Sequence, residues 1–448
     1  MYLNSKMIHS REQTKYLIEK IISLSSAKET FVSFTETTDS FQPFVSNALL
    51  PSGNRHQQIC TITTRVGDSF GSFVTNKLDE ASLKSAVNRA IEITKLLPSS
   101  PAPLPFIGPI DVKEAPLHFP DAGGDVRSQQ EIAMSLIEAA TEKQLTATGS
   151  ISQTESVNAL GSSNGLSTYQ ASTNYSARFH VVHANRKSTG FAEDSSYDPR
   201  KLDLQSIMKR AIDSCLASTE IVEFKPGKYD VILSPSVVAD FLYILLQQFH
   251  QQSIIDKQSF LAKMDGSIHL GSKLFPSTIH VFSDPMHEAL PAIPFSATGE
   301  KISRQEWIKD GVINEIIRPR AEAMKENRAS IPFPSNLILT GSTSTLDELI
   351  RKSSKAILVH HVANVRLGDP TNCLLTGVTK DGLFFIEDGK IKHAIKNMRF
   401  SETPVYMLKA TEFMSQSVRA SGRYSAFPML VPAIKMIGFQ FLQSTDFV

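Results

Sequence analysis

The chain has 448 residues, with 46 Lys and Arg against 45 Asp and Glu, a formal net charge of +1 and 41% hydrophobic residues. So balanced a chain lacks the concentrated basic surface that sequence-blind nucleic-acid binding needs. Its 22 Gly and 23 Pro exclude a collagenous or low-complexity architecture, and its length calls for two or three domains with a large core.

Cys60, Cys215 and Cys373 are far apart and no Cys-x-x-Cys occurs, which argues against a thiolate zinc site or a disulfide framework. The first twenty residues lack the apolar core of a signal peptide. The longest strongly apolar run, FLYILL at 241–246, is far too short to span a membrane. A cytoplasmic protein with reduced thiols is the expectation.

In chain order, residues 11–24 predict a helix, with Ser10 and Gln13 as a capping box and Leu17, Ile18, Ile21 and Leu24 at helical spacing. Strands follow at 31–37 and 59–66, with a turn at 51–54, and then a helix at about 80–97. Residues 98–126 are Pro-rich and read as a linker, since clustered prolines join neither helices nor central strands. A helix at about 127–145, an antiparallel meander over 150–190 and a helix at about 202–218 complete the N-terminal half.

Pro226-Gly227 marks the predicted boundary between an α+β domain (1–225, linker included) and a β-rich, barrel-like domain (226–448). The second half opens with a strand at 229–235 and an apolar helix at about 236–252. Strands at 278–285, 337–341, 356–362 and 382–394 follow, with a short helix capped by Thr345 and Glu348. The fold class expected is α+β.

No motif supplies a catalytic constellation. Gly161-Ser162-Ser163-Asn164-Gly165 has the G-x-S-x-G form of serine hydrolases, but an alternating strand follows it where that chemistry needs a helix. Asn164-Gly165 reads instead as a hairpin turn. His287-Glu288 has no second histidine on a helix, so it reads as surface loop. His360-His361 are strand neighbours, whose side chains point to opposite faces, so a packed or surface role is favoured over a shared metal. Cys373, with no His near in sequence, reads as a buried structural cysteine. Phosphate-cradling glycine loops are absent.

The order of segments is similar to that of the TldD/PmbA family, the "modulator of DNA gyrase" peptidases. RVGDSFGSFVTN with the helix after it, NALGSSNGLSTYQASTNYSA, PGKYDVILSP, KQSFLAKMDGS, GLFFIEDGKI and FPMLVPAIKMIGF carry the resemblance over nearly the whole chain. The family's active, TldD-like members carry His-Glu-x-x-x-His on the helix after the "ILSP" strand and a Cys near the C-terminus. In this sequence Tyr243 and Gln248 stand at the two histidines, and Ser421, followed by Gly422 and Arg423, at the cysteine. Neither imidazole, thiolate nor general base remains, so the resemblance implies no catalytic residue and no metal on this chain.

That departure is the pattern of the TldE (PmbA) branch. It implies a metal-free, pseudoenzyme subunit that helps a zinc-bearing TldD-like partner in proteolysis or maturation of small or unfolded peptides. The peptide would lie as an added strand in a cavity shared by the heterodimer. Gln247, His250, Gln251, Arg366 and Arg423 are the candidate peptide-binding residues. No cofactor, membrane contact or direct nucleic-acid contact is expected. The alternative is a stand-alone homodimeric peptide-binding protein without peptidase activity. A third reading is repurposed chemistry around Tyr243, His250, Cys373 and Ser421, which needs a base beside a nucleophile.

Overall fold

The structure is a computed structural model that describes residues 8–120, 126–185 and 188–446. Its fold is α+β, and helices and sheets follow the sequence pattern closely. The first helix, Arg11–Ser23, starts at the predicted capping box, in which Ser10 Oγ accepts from the Gln13 main chain while the Gln13 side chain accepts from the Ser10 N–H. The hairpin after Ser162 is also as expected, with Gly165 at φ +96° where a side chain would be strained.

A seven-stranded antiparallel sheet organises residues 29–196. Its long strands, among them Glu29–Val45, Leu145–Ser162 and Ser167–His183, alternate in burial with a period of two. Val32, Phe34 and Phe44 share one face of their strand, and that face packs four helices. Arg11–Ser23 and Glu80–Leu96 cover one half, and Val126–Glu142 and Leu204–Ala217 the other.

The Pro-rich segment forms neither helix nor strand over 98–119, but it does not swing free. Phe106, Ile107, Ala115 and Leu117 pack on the opposite face of the sheet, and the Gln170 side-chain amide exchanges two hydrogen bonds with the Ala115 main chain. Residues 121–125 of this segment lie outside the described residues.

In the C-terminal half, five strands close into a barrel in the order Lys355–Asp369, Gly227–Leu233, Ile434–Ser444, Met398–Glu402 and Leu374–Glu387. Closure comes from the antiparallel pairing of Leu374–Glu387 back onto Lys355–Asp369. A six-stranded sheet over 281–431 lies beside it.

The helix Pro235–Gln247 sits among these sheets. Ser234 caps it, Pro235 occupies its first turn, and its apolar residues bury nearly all round. Expected to run to residue 252, it stops at Gln247, and a second short helix spans Gln251–Ile255. The break has a tertiary cause. Ile317 N donates to Phe249 O and Gln251 N to Ile317 O, both at 2.9 Å, which takes the backbone out of the helical ladder.

Candidate functional site between the sheet and the barrel

The loop 421–427 is the hub of the site. Each of its anchors comes from a different element. Arg423 Nη2 donates to Asp381 Oδ2 at 2.6 Å, and Thr189 Oγ1 from the N-terminal sheet donates to Asp381 Oδ1 at 2.9 Å. The Tyr424 N–H donates to Asp240 Oδ1 at 2.7 Å on the apolar helix, and the Val365 N–H donates to the Tyr424 hydroxyl at 3.0 Å. Phe427 packs on Tyr243 with ring centroids 5.6 Å apart. The guanidinium of Arg423 also lies 5.1 Å from the Phe191 ring centroid.

Asp381 sits on an irregular turn of the ladder. Val359 pairs with Leu383 and His361 with Lys380, so the strand Leu374–Glu387 carries one extra residue there. Asp381 and Gly382 absorb it with φ of +52° and +125°. The Asp381 side chain is 1% exposed, and His180 Nε2 lies 3.8 Å from it. A buried carboxylate without donors would be costly, and here a cation and a hydroxyl supply them.

The same bulge corrects the reading of His360 and His361. Alternation predicts opposite faces, yet both line one cavity of about 380 Å³ between sheet and barrel, with centroids 6.4 Å apart. Burial lowers them to about 4 and about 3, so both are neutral imidazoles at pH 7. His361 Nδ1 lies 3.3 Å from Ser236 Oγ, and neither histidine shares a ligand set with other donors. Among the described residues no group of three His, Cys, Asp or Glu side chains could hold a metal ion.

The residues that the resemblance sets at ligand positions are held by other partners. With its amide turned so that the nitrogen faces both carbonyls, Gln248 donates to Pro370 O at 3.1 Å and Gln258 O at 3.0 Å. Tyr243 is held edge-on between Phe333 and Phe427. Ser421 lines the cavity wall instead, and a serine hydroxyl is a poor ligand for zinc. Asp240 is the titratable group of this helix. It is 1% exposed, and burial pushes it up to about 7.

The proposed peptide-binding residues are dispersed. Arg423 belongs to the hub. Gln247 is exposed at the far end of the helix, where His250 caps the next one and Gln251 donates to Glu326. Arg366 is exposed on a barrel strand opposite Thr376. No hydrogen bond among the described residues links any two of Tyr243, His250, Cys373 and Ser421. Burial pushes the Cys373 thiol up to about 12, far from a thiolate nucleophile. Ser163 accepts from the Thr30 N–H at 3.0 Å in the turn, and no base approaches it.

Sequence reasoning missed Asp240, Thr189, His180 and Asp381. One signal was available for the first: Asp240 is the only charged residue in the apolar run 235–246. The others meet only through the fold. Beside the hub, a groove of about 420 Å³ runs over the polar face of the sheet, lined by Ser150, Ser152, Ser176, Ser195, Arg178 and Ser421.

The site thus belongs to an α+β fold with a closed five-stranded barrel and a buried carboxylate on its apolar helix. Residues 226–439 match the PmbA/TldA metallopeptidase C-terminal domain. A relative from Haemophilus influenzae described as a metalloprotease PmbA homolog is 22% identical over 400 residues, covering 84% of this chain and 85% of the relative. The structure of TldE from Thermococcus kodakarensis superposes with a TM-score of 0.84 at 17% identity, covering 96% of this chain and 99% of that one. A proposed modulator of DNA gyrase from Bacteroides thetaiotaomicron gives the same TM-score at 17% identity, over 98% of this chain and 100% of that one. Among the described residues no helix is long and apolar enough to cross a membrane.

Proposed function

We propose that this chain is the metal-free, TldE-like subunit of a TldD/TldE-type metallopeptidase heterodimer, in which it forms one wall of the peptide-binding cavity. One observation carries this reading. The side chains that the resemblance sets at metal positions are committed to structure, Gln248 to two carbonyls and Tyr243 to an aromatic cluster, which supports a reading in which another subunit supplies the chemistry. The hydroxyl-lined groove beside Ser421 suits an extended peptide, because hydroxyls serve main-chain donors and acceptors without selecting side chains. The three buried, free cysteines suit a reducing cytoplasm.

The test is native mass spectrometry of the full chain captured from its host cells, followed by peptide digestion. The expected result is a heterodimer with a similar-sized chain, one metal per pair, and peptidase activity only in the pair. A metal-free homodimer that leaves peptides intact would overturn the proposal in favour of a stand-alone peptide-binding protein.

A further inference from the structure

The cavity of about 380 Å³ behind the hub is separate from the serine-lined groove, although Glu193, Asp194 and Ser421 border both. One of its walls is apolar, built from Phe191, Leu358, Phe384 and Ile350. The other holds Arg419, whose side chain among the described residues forms no hydrogen bond and no ion pair. Its Nε is buried without a partner, its guanidinium lies 5.1 Å from the Tyr197 ring centroid, and the charge of Asp194 acts on it from beyond hydrogen-bond range. Burial draws this guanidinium below its ordinary range, yet a guanidinium keeps its charge in proteins. A half-buried cation without a hydrogen-bonded counter-ion is costly unless something completes it.

The carboxylates nearby do not complete it. Glu193 is taken by Arg178, whose Nε donates to Oε2 at 3.0 Å. Asp194 accepts from the Ser195 N–H at 2.8 Å, and burial pushes it up against the weaker pull of Arg419 and of Arg210, the second arginine of the cavity, with neither of which it forms an ion pair among the described residues. Asp213 and Asp347 are exposed at the mouth, and Asp213 is paired with Lys209. Ser234, Pro235 and Ser236 bring the N-terminus of the thirteen-residue helix to the same cavity, adding a second positive pole.

We propose that this cavity binds a carboxylate carried on an apolar body. The carboxylate meets Arg419 and the helix N-terminus, and the apolar body lies against Phe384, Leu358 and Ile350. The ligand is either a free small acid or the C-terminal residue of a peptide. This site serves the chain by itself and does not depend on a peptidase partner.

The experiment is isothermal titration calorimetry of the full chain with three probes: N-acetyl-phenylalanine, its amide, and an N-acetylated tripeptide ending in phenylalanine. The acid should bind at least tenfold more tightly than the amide, and Arg419→Gln should erase that difference. Ile350→Trp, which fills the cavity without touching the cation, should abolish binding of every probe. Asp194→Asn should leave binding unchanged or tighten it. A tripeptide preferred over the single residue assigns the peptide terminus, and the reverse assigns a free acid. Equal affinity for acid and amide, no binding of any probe, an unchanged Arg419→Gln, or loss of binding in Asp194→Asn would each overturn the proposal.

Discussion

Arg423→Met is the sharpest perturbation of the hub, because it strands a carboxylate that is 1% exposed. Removing one partner of a fully buried pair costs about 3–5 kcal/mol. Two features of the structure reduce that figure. The Arg423 side chain is 27% exposed, so water can follow its departure, and Thr189 Oγ1 still donates to Asp381 at 2.9 Å. About 2–3 kcal/mol is expected. Asp381→Asn keeps an acceptor for Thr189 and removes the charge, so it should cost about 1 kcal/mol. The double variant strands no charge and should fall short of the sum of the singles by about 1–2 kcal/mol. Urea unfolding of the four proteins, followed by fluorescence of the single tryptophan, Trp307, and by circular dichroism, measures the cycle. Coincidence of the two probes tests whether the transition is cooperative enough for the arithmetic. An Arg423→Met variant within about 0.5 kcal/mol of the parent, the range of ordinary surface substitutions, or strictly additive singles, would refute the reasoning.

Two further outcomes follow from the same loop. Asp240 is pushed up to about 7 from an ordinary 3.8, so between those values the native state holds a proton that the unfolded chain has released, and stability falls as pH rises through that window. His360 and His361 act in the opposite sense, losing stability as pH falls below 6.5, but they cancel in a difference. The unfolding free energy of the parent minus that of Asp240→Asn should therefore decline from pH 4 to 7 and level off above about 8, and a flat difference would exclude a buried protonated Asp240. A Cβ added at Gly422 would stand 2.0 Å from Asp240 Oδ1, so Gly422→Ala must displace the loop and should cost about 1–3 kcal/mol by urea midpoint, whereas an unchanged midpoint would show that the loop is not held there.

Much of the fold was legible in the sequence because it rests on local rules. The capping boxes at Ser10 and Thr345 form as written, since each satisfies orphan N–H groups within four residues. The alternation of apolar and polar residues over 150–190 became the long antiparallel strands for the same local reason. The all-round apolarity of 235–246 marked a helix enclosed on every side.

Distance in the chain hid the rest. The helix end at Gln247 depends on Ile317, about seventy residues away, and no periodicity carries that information. His360 and His361 share a cavity because one extra residue in the facing strand bends the ladder, and an insertion is defined only once the partner strand is known. Asp381 finds Thr189, 192 residues before it, and Arg423, 42 residues after it. The sequence alone determined which elements form, because propensity and capping are properties of single residues and near neighbours. The tertiary structure alone decided where the buried charges meet and where Arg419 is left unpaired, because the cost of burying a charge depends on every group that surrounds it.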